Sequence, residues 1–152
     1  MKNCTFCKII RGELPSAKIW ENDDFLAILD VNPNTKGMTL FLTKQHFDSY
    51  INSLPDGTYN KYFQALKKVT SMLEKGLAVK RVAVAIEGMA INHAHIKLYP
   101  LHGLKDKFEE VLAKDRVYFE KYEGFLSTQL GPTKNIGELR KLAEEIKSKT
   151  RD

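Results

Sequence analysis

Pro55 separates two different spacings of apolar residues, and that change constrains the fold more than any other feature of the chain. Ahead of it stand three short apolar runs, "AKIW" (17–20), "FLAILD" (25–30) and "MTLFLT" (38–43). They are separated by "ENDD" and by "VNPNTKG" (31–37), both rich in turn formers. Runs of that length, so bounded, read as strands of an antiparallel meander. Behind Pro55, Tyr59, Tyr62, Phe63, Leu66, Val69 and Leu73 recur at steps of three and four. That spacing puts one apolar stripe on a helix of about five turns.

The rest of the chain continues both themes. In "RVAVAIEG" (81–88) valines and an isoleucine alternate with alanines, so both faces are small and apolar, as in a central strand. "HAHIKLYP" (93–100) follows as its neighbour. A second helix is expected over about 105–122, with Phe108, Val111, Leu112, Phe119 and Tyr122 on one side. A last helix is announced by Asn135 with Glu138 three residues later, a capping pair. Strands placed early and helices grouped later imply an α+β domain with an antiparallel sheet, a long central helix and C-terminal helices. A chain of 152 residues is long enough to bury one core of its own.

Charge and targeting signals bound the function. The formal net charge is +5, which favours anionic partners such as phosphates and nucleotides. The charges interleave, as in "KDKFEEVLAKDR", in the manner of solvated helix faces rather than a nucleic-acid stripe. No apolar run is long enough to span a bilayer, and "MKNCTFCKII" lacks the pattern of a signal peptide. A cytoplasmic protein is the expectation, and in that compartment two cysteines argue poorly for a disulfide.

The chemistry concentrates in "NHAHIKLY" (92–99). On a strand His93, His95, Lys97 and Tyr99 share one face, and Ala94, Ile96 and Leu98 the other. The apolar face belongs to a core, so the polar face is exposed or lines a site. Same-face neighbours are about 6.5–7 Å apart, which makes a row about 20 Å long that could meet several oxygens of one polyphosphate. Elsewhere, "CTFC" offers Cys4 and Cys7, and His46 ends the third strand in "TKQH". Two thiolates and two imidazoles can close a tetrahedral zinc site, with His93 the better of the strand histidines for it. Two reduced buried thiols, or a redox pair, are the alternatives that C-x-x-C leaves open.

"CTFCKIIRGELPSAKIWENDDFLAILDVNPNTKGMTLFLTKQH" followed by "HAHIKLYP" resembles the histidine triad (HIT) family of nucleotide hydrolases and transferases. The signature of that family is H-φ-H-φ-H-φ-φ, with φ apolar, and here it runs from His93 to Tyr99. The resemblance implies a HIT-like catalytic core over 1–103 and a helical extension of the same domain over 104–152. It implies that His95 attacks the α-phosphorus of a nucleotide to form a nucleotidyl-histidine. It implies a structural zinc on Cys4, Cys7, His46 and His93. It gives Asp30 to the ribose hydroxyls and Phe6, Ile9, Ile28 and Val31 to the base. Members of the family are usually homodimers joined through the long helix and an edge strand, so a homodimer is expected, with no membrane and no nucleic acid as partner.

The departures fall on the phosphate end of the site. Lys97 stands where the triad has its third histidine, and lysine donates hydrogen bonds but accepts none. In the stretch before the triad Gly88 is kept, but Met89 and Ala90 replace glutamine and serine, and Asn92 or Lys97 is left to meet phosphate. Met38 replaces a common histidine, and His102 lies just past the strand. The expected activity is hydrolysis or nucleotidyl transfer at an α-phosphate, on a dinucleoside polyphosphate, a nucleoside phosphoramidate or a similar substrate. The alternative is a nucleotide-binding module whose degenerate triad has given up turnover.

Overall fold

Five strands and three α-helices make up the computed structural model, which describes residues 3–107, 114–128 and 130–149. The elements are α1 (Thr5–Ile10), β1 (Lys18–Glu21), β2 (Phe25–Leu29), β3 (Thr39–Thr43), α2 (Asp56–Leu77), β4 (Val82–Ala85), β5 (His95–Pro100) and α3 (Ile136–Lys149). The strands form one sheet in the order β1-β2-β3-β5-β4, and every neighbouring pair is antiparallel. The α+β class and the meander of the first three strands are as the sequence implies. The chain divides into two units, 1–106 and 107–152, and the sheet lies wholly in the first.

Alternation along the strands sorts their side chains to two faces. Phe25, Ala27, Phe41, Ile96 and Leu98 turn to one face and meet Tyr62, Leu66, Val69 and Leu73 of α2. The Tyr62 hydroxyl, buried in this layer, donates to the Phe41 carbonyl, so its polar atom is satisfied. Leu26, Ile28 and Leu42 turn to the opposite face, where Phe6 of α1 packs over them with Ile9, Leu40 and Ile91 beside it. The sheet is therefore covered on both faces: α2 seals one, while α1 and the β4–β5 loop only partly close the other, and the site lies there.

Three expectations from sequence need correction. β4 is an edge strand, not a central one, and Val84 and Ile86 are exposed. An alternation of small apolar residues does not distinguish a two-sided buried strand from a short edge strand with little to bury. β5 begins at His95, and His93 lies in the bend before it, with its N–H donating to the Ile91 carbonyl at 2.8 Å. Residues 105–107 and 114–122 form no helix, while Phe108, Val111 and Leu112 fall outside the described residues. Val117, Tyr118 and Phe119 are successive poor helix formers. The two rings are used locally instead: Phe119 meets Phe125 edge-on at 5.8 Å, and the Lys134 ammonium sits 4.2 Å from the Tyr118 ring centre. α3 starts where expected, with the Asn135 side chain accepting from the Gly137 N–H at 2.7 Å. No helix among the described residues is long and apolar enough to cross a membrane.

Phe41 is fully buried, with the rings of Trp20, Phe25 and Tyr62 at centroid distances of 6.0, 5.8 and 4.7 Å. Phe41→Ala is expected to destabilise the fold by about 3–5 kcal/mol through lost burial and the cavity left behind. Urea unfolding should show a lower midpoint at an unchanged slope. A loss below about 1 kcal/mol would mean that the α2 face is not the main core.

Candidate functional site

The site is assembled from the facing ends of β3 and β5. Leu42 pairs with His95 and Leu40 with Lys97, and beyond the last pair the Thr43 N–H reaches the Ala94 carbonyl at 3.3 Å. That register brings His46, just after β3, next to His93, just before β5. Helix α1 supplies the other half. It starts directly after Cys4, whose carbonyl accepts from the Lys8 N–H at 3.1 Å, and Cys7 follows within its first turn. Three residues apart at a helix start, the two sulfurs point to the same side.

The donor atoms of Cys4, Cys7, His46 and His93 all lie within 4.8 Å of one another. His93 Nδ1 is 3.5 Å from each sulfur and 3.2 Å from His46 Nδ1, and Cys7 Sγ is 3.3 Å from His46 Nδ1. Tetrahedral bonds of about 2.0–2.3 Å from a central ion put neighbouring ligands roughly 3.3–3.8 Å apart, close to these values. His93 Nε2 lies 2.7 Å from the Thr43 carbonyl, so its ring proton belongs there and Nδ1 turns a lone pair to the cluster. Burial, and then the neighbouring Cys4 thiol, push the Cys7 thiol up from its ordinary range, a bias that a bound cation would reverse. The residues fit a metal ion.

Phe6 joins this cluster to the neighbouring cavity. Its ring meets His93 edge-on at 5.7 Å and His95 at 5.4 Å. The cavity, of about 480 Å³, is walled by Phe6, Ile9, Ile28, Leu40, Met38, Met89 and Ile91. Asp30, Val31, His95 and Lys97 also line it. Of the residues assigned to a nucleotide from sequence, Phe6, Ile9, Ile28, Asp30 and Val31 share this one cavity with His95 and Lys97. Val31 is 84% exposed and belongs to the rim. Asp30 accepts the Asn32 N–H on one carboxylate oxygen at 2.8 Å, which fixes the carboxylate at the end of β2.

The four polar residues of the signature do not act as one row. His93 turns into the Cys/His cluster, His95 and Lys97 face the cavity, and Tyr99 lines a separate hollow with Asn34, Thr35 and His102. Nor is His95 exposed: only 3% of it is accessible. Its Nδ1 lies 2.7 Å from the His93 carbonyl, which places the ring proton on Nδ1 and leaves Nε2 with its lone pair. Burial holds the His95 imidazole below its ordinary range. The His93 carbonyl pulls it the other way, and the Lys97 charge adds to the lowering.

Gly88 and Asn92 are not among the residues lining the cavity; both are bound to Ser49. The Asn92 side chain accepts the Ser49 N–H at 2.8 Å, and the Ser49 hydroxyl donates to the Gly88 carbonyl at 2.6 Å. Gly88 has φ +70°, and a Cβ there would lie 2.8 Å from the Ser49 carbonyl oxygen, so glycine is needed for the approach. These bonds hold the loop that presents Met89 and Ile91. Sequence reading missed Ser49 and also Glu87, whose Oε2 lies 3.0 Å from Lys97 Nζ. No sequence spacing signals either contact, because both are made only when the β4–β5 loop folds back.

Residues 11–103 match the family model described as the HIT domain. The chain belongs to this family. It is 34% identical to an uncharacterized HIT-like protein of Methanocaldococcus jannaschii over 71% of this chain and 88% of that one. It is 36% identical to an adenylylsulfatase of Arabidopsis thaliana over 64% of this chain and 52% of that one. A solved structure from Streptococcus mutans covers 99% of this chain and 87% of its own, with a TM-score of 0.70 at 28% identity.

Cys7→Ser removes one of the four donors. It is expected to cut the bound metal of the purified protein to a small fraction of the unaltered chain's, as read by elemental analysis. The accompanying loss of stability is about 2.7 kcal/mol at a hundredfold excess of metal over Kd, several degrees in Tm. Equal metal content in both proteins would show that the cluster is not the binding site.

Proposed function

We propose that this chain is a nucleotide hydrolase or nucleotidyltransferase that works at an α-phosphate through a nucleotidyl-His95 intermediate. The observation that carries the reading is the hydrogen bond from His95 Nδ1 to the His93 carbonyl, made inside the cavity that Asp30 and the apolar wall share. It commits the ring's proton to the backbone and leaves Nε2 as a neutral nucleophile beside the space for a nucleotide. The adenylylsulfatase relative, which by its name acts on an adenylyl compound, supports the same class of chemistry.

In this reading the base lies between Phe6, Ile9 and Ile28, with Val31 at the rim, and Asp30 accepts from the ribose hydroxyls. His95 Nε2 forms a bond to the α-phosphorus as the bond to the leaving group breaks. Water or another acceptor then attacks the phosphorus, and the P–N bond returns its electron pair to Nε2. Catalysis of this kind is mostly positioning and charge stabilisation. The Lys97 ammonium, on the cavity wall, is the positive group close to the phosphates. A structural zinc on Cys4, Cys7, His46 and His93 suits the thiolate and imidazole set. Bound there, it would tie α1, and with it Phe6, to the ends of β3 and β5.

A second reading, binding without turnover, is favoured by one contact: Glu87 holds Lys97, so the cation near the phosphates is already paired. Intact-mass measurement after an acid-free quench separates the two. Turnover of an adenylylated substrate with a nucleotide-monophosphate adduct on His95 is expected. Saturable nucleotide binding with neither adduct nor product would establish the binding module. His95→Asn keeps most of the buried volume and should lower kcat by more than about 10⁴-fold. Circular dichroism must show that it folds, because at 3% exposure His95 is part of the packing. Retained activity in a folded variant would overturn the nucleophile assignment.

A further inference from the structure

We infer that this site selects nucleotides whose leaving group departs as an anion (sulfate, carboxylate or phosphate) over those whose leaving group is an amine, and that Lys97, positioned by Glu87, sets the preference. The inference rests on the reading of His95 as nucleophile given above. It concerns the other end of the breaking bond.

The argument begins with where protons are. An amine leaves phosphorus only if its nitrogen gains a proton, since an amide anion is too basic to depart, whereas sulfate, carboxylate and phosphate leave with the electron pair and need none. A site for amine leaving groups must therefore hold a transferable proton beside the bond. The histidines do not supply it. His46 and His93 belong to the metal cluster, and the His93 ring proton is directed to the Thr43 carbonyl. His102 Nε2 lies 2.8 Å from the Lys36 carbonyl, and His102 does not line the cavity. His95 has its proton on the His93 carbonyl and its other nitrogen in the attack. Thr5 and Asn32 line the cavity too, but a hydroxyl and an amide are not acids of useful strength, and the Asp30 carboxylate is taken up by the ribose hydroxyls in this reading.

Lys97 remains, and its setting suits a fixed charge rather than a proton donor. It pairs with Leu40 across β3 and with Ala85 across β4, so its side chain stands on the cavity face of the sheet between two strands. Glu87, two residues past Ala85, puts its carboxylate oxygen 3.0 Å from Nζ. The side chains are only 25% and 11% exposed. The ion pair with Glu87 holds the ammonium in one place on the cavity wall. If Lys97 keeps its proton, its charge meets the negative charge that develops on a departing oxygen, the situation in which a preorganised cation stabilises most. Bond by bond, His95 Nε2 joins the α-phosphorus, the P–O bond breaks, and the electron pair leaves on the oxygen of the anion. Water later takes the nucleotidyl group from Nε2 and releases its proton to solvent.

The test compares kcat/KM for adenylyl sulfate, an acyl adenylate and adenosine 5′-phosphoramidate, with intact-mass detection of the His95 adduct for each. Adenylyl sulfate and the acyl adenylate are expected to exceed the phosphoramidate by at least about tenfold. Lys97→His supplies an imidazole proton and should move that ratio at least about tenfold toward the phosphoramidate. Lys97→Gln removes the charge without supplying an acid and should lower the rates on both anionic leaving groups. Having two variants keeps the test usable if one fails to fold. A phosphoramidate rate equal to or above the others, with the adduct present, would overturn the preference while the enzyme reading stands. An unchanged ratio in the folded Lys97→His variant would remove Lys97 as its cause. Neither adduct nor product from any of the three would overturn the enzyme reading itself, and this inference with it.

Discussion

The pairing of β3 with β5 is the constraint on which the other features depend. Leu42 faces His95, Phe41 faces Ile96, and Leu40 faces Lys97. Because side chains alternate, this register places Ile96 and Leu98 against α2 and turns His95 and Lys97 to the opposite face. A slip of one residue would press an imidazole and an ammonium into the aromatic layer around Phe41 and Tyr62. It would also lift Ile96 and Leu98 out of the core. The core therefore enforces the geometry of the site. The burial of Ile96 and Leu98 is what fixes His95, and the same pairing, carried past its ends, brings His46 to His93.

The second dependency runs through α1. Six residues are too few for a helix that is stable by itself. Two things hold it: the packing of Phe6 on Leu26, Ile28 and Leu42, and the convergence of Cys4 and Cys7 on the two histidines. Phe6 serves both neighbourhoods, since its ring touches His93 on the cluster side and His95 on the cavity side. Losing the cluster would free the element that forms one wall of the cavity, so a metal there would act on the chemistry through position alone.

Much of this was legible in the sequence because it is written in periodicity. The step-of-three-and-four stripe from Tyr59 to Leu73 is the buried face of α2, and the runs before Pro55 are the meander. The four donors of the cluster were legible as residue types that can close a tetrahedral site, though C-x-x-C by itself left reduced thiols or a redox pair open, and the resemblance to the family chose among them. Three things were not. β4 looked central because its alternation of valine and alanine carries no sign of which neighbour is missing. The expected helix over 105–122 is absent from its described part, residues 105–107 and 114–122, where local ring contacts prevail. The contacts of Ser49, Glu87 and Gly88 depend on how one loop folds back, and no spacing along the chain encodes that. The histidine row failed as a row because His93 precedes the strand, so the alternation that unites His95 and Lys97 does not extend to it.

That last point bears on how the site divides its work. In a strand-wide row, every polar residue would compete for the same ligand. Here the chain assigns them separately: His93 gives one nitrogen to the cluster and the other to Thr43, and its carbonyl orients His95. One residue thus serves both as a metal-type ligand and as the group that orients the His95 ring. A lysine at the next same-face position is compatible with this division, because His95 already has its orienting partner and asks nothing of residue 97. Position 97 is then not needed to hold the His95 ring. Glu87 makes a lysine there workable, since a lone ammonium in a largely apolar cavity would be poorly solvated and mobile, and an ion pair at 3.0 Å holds it in one place.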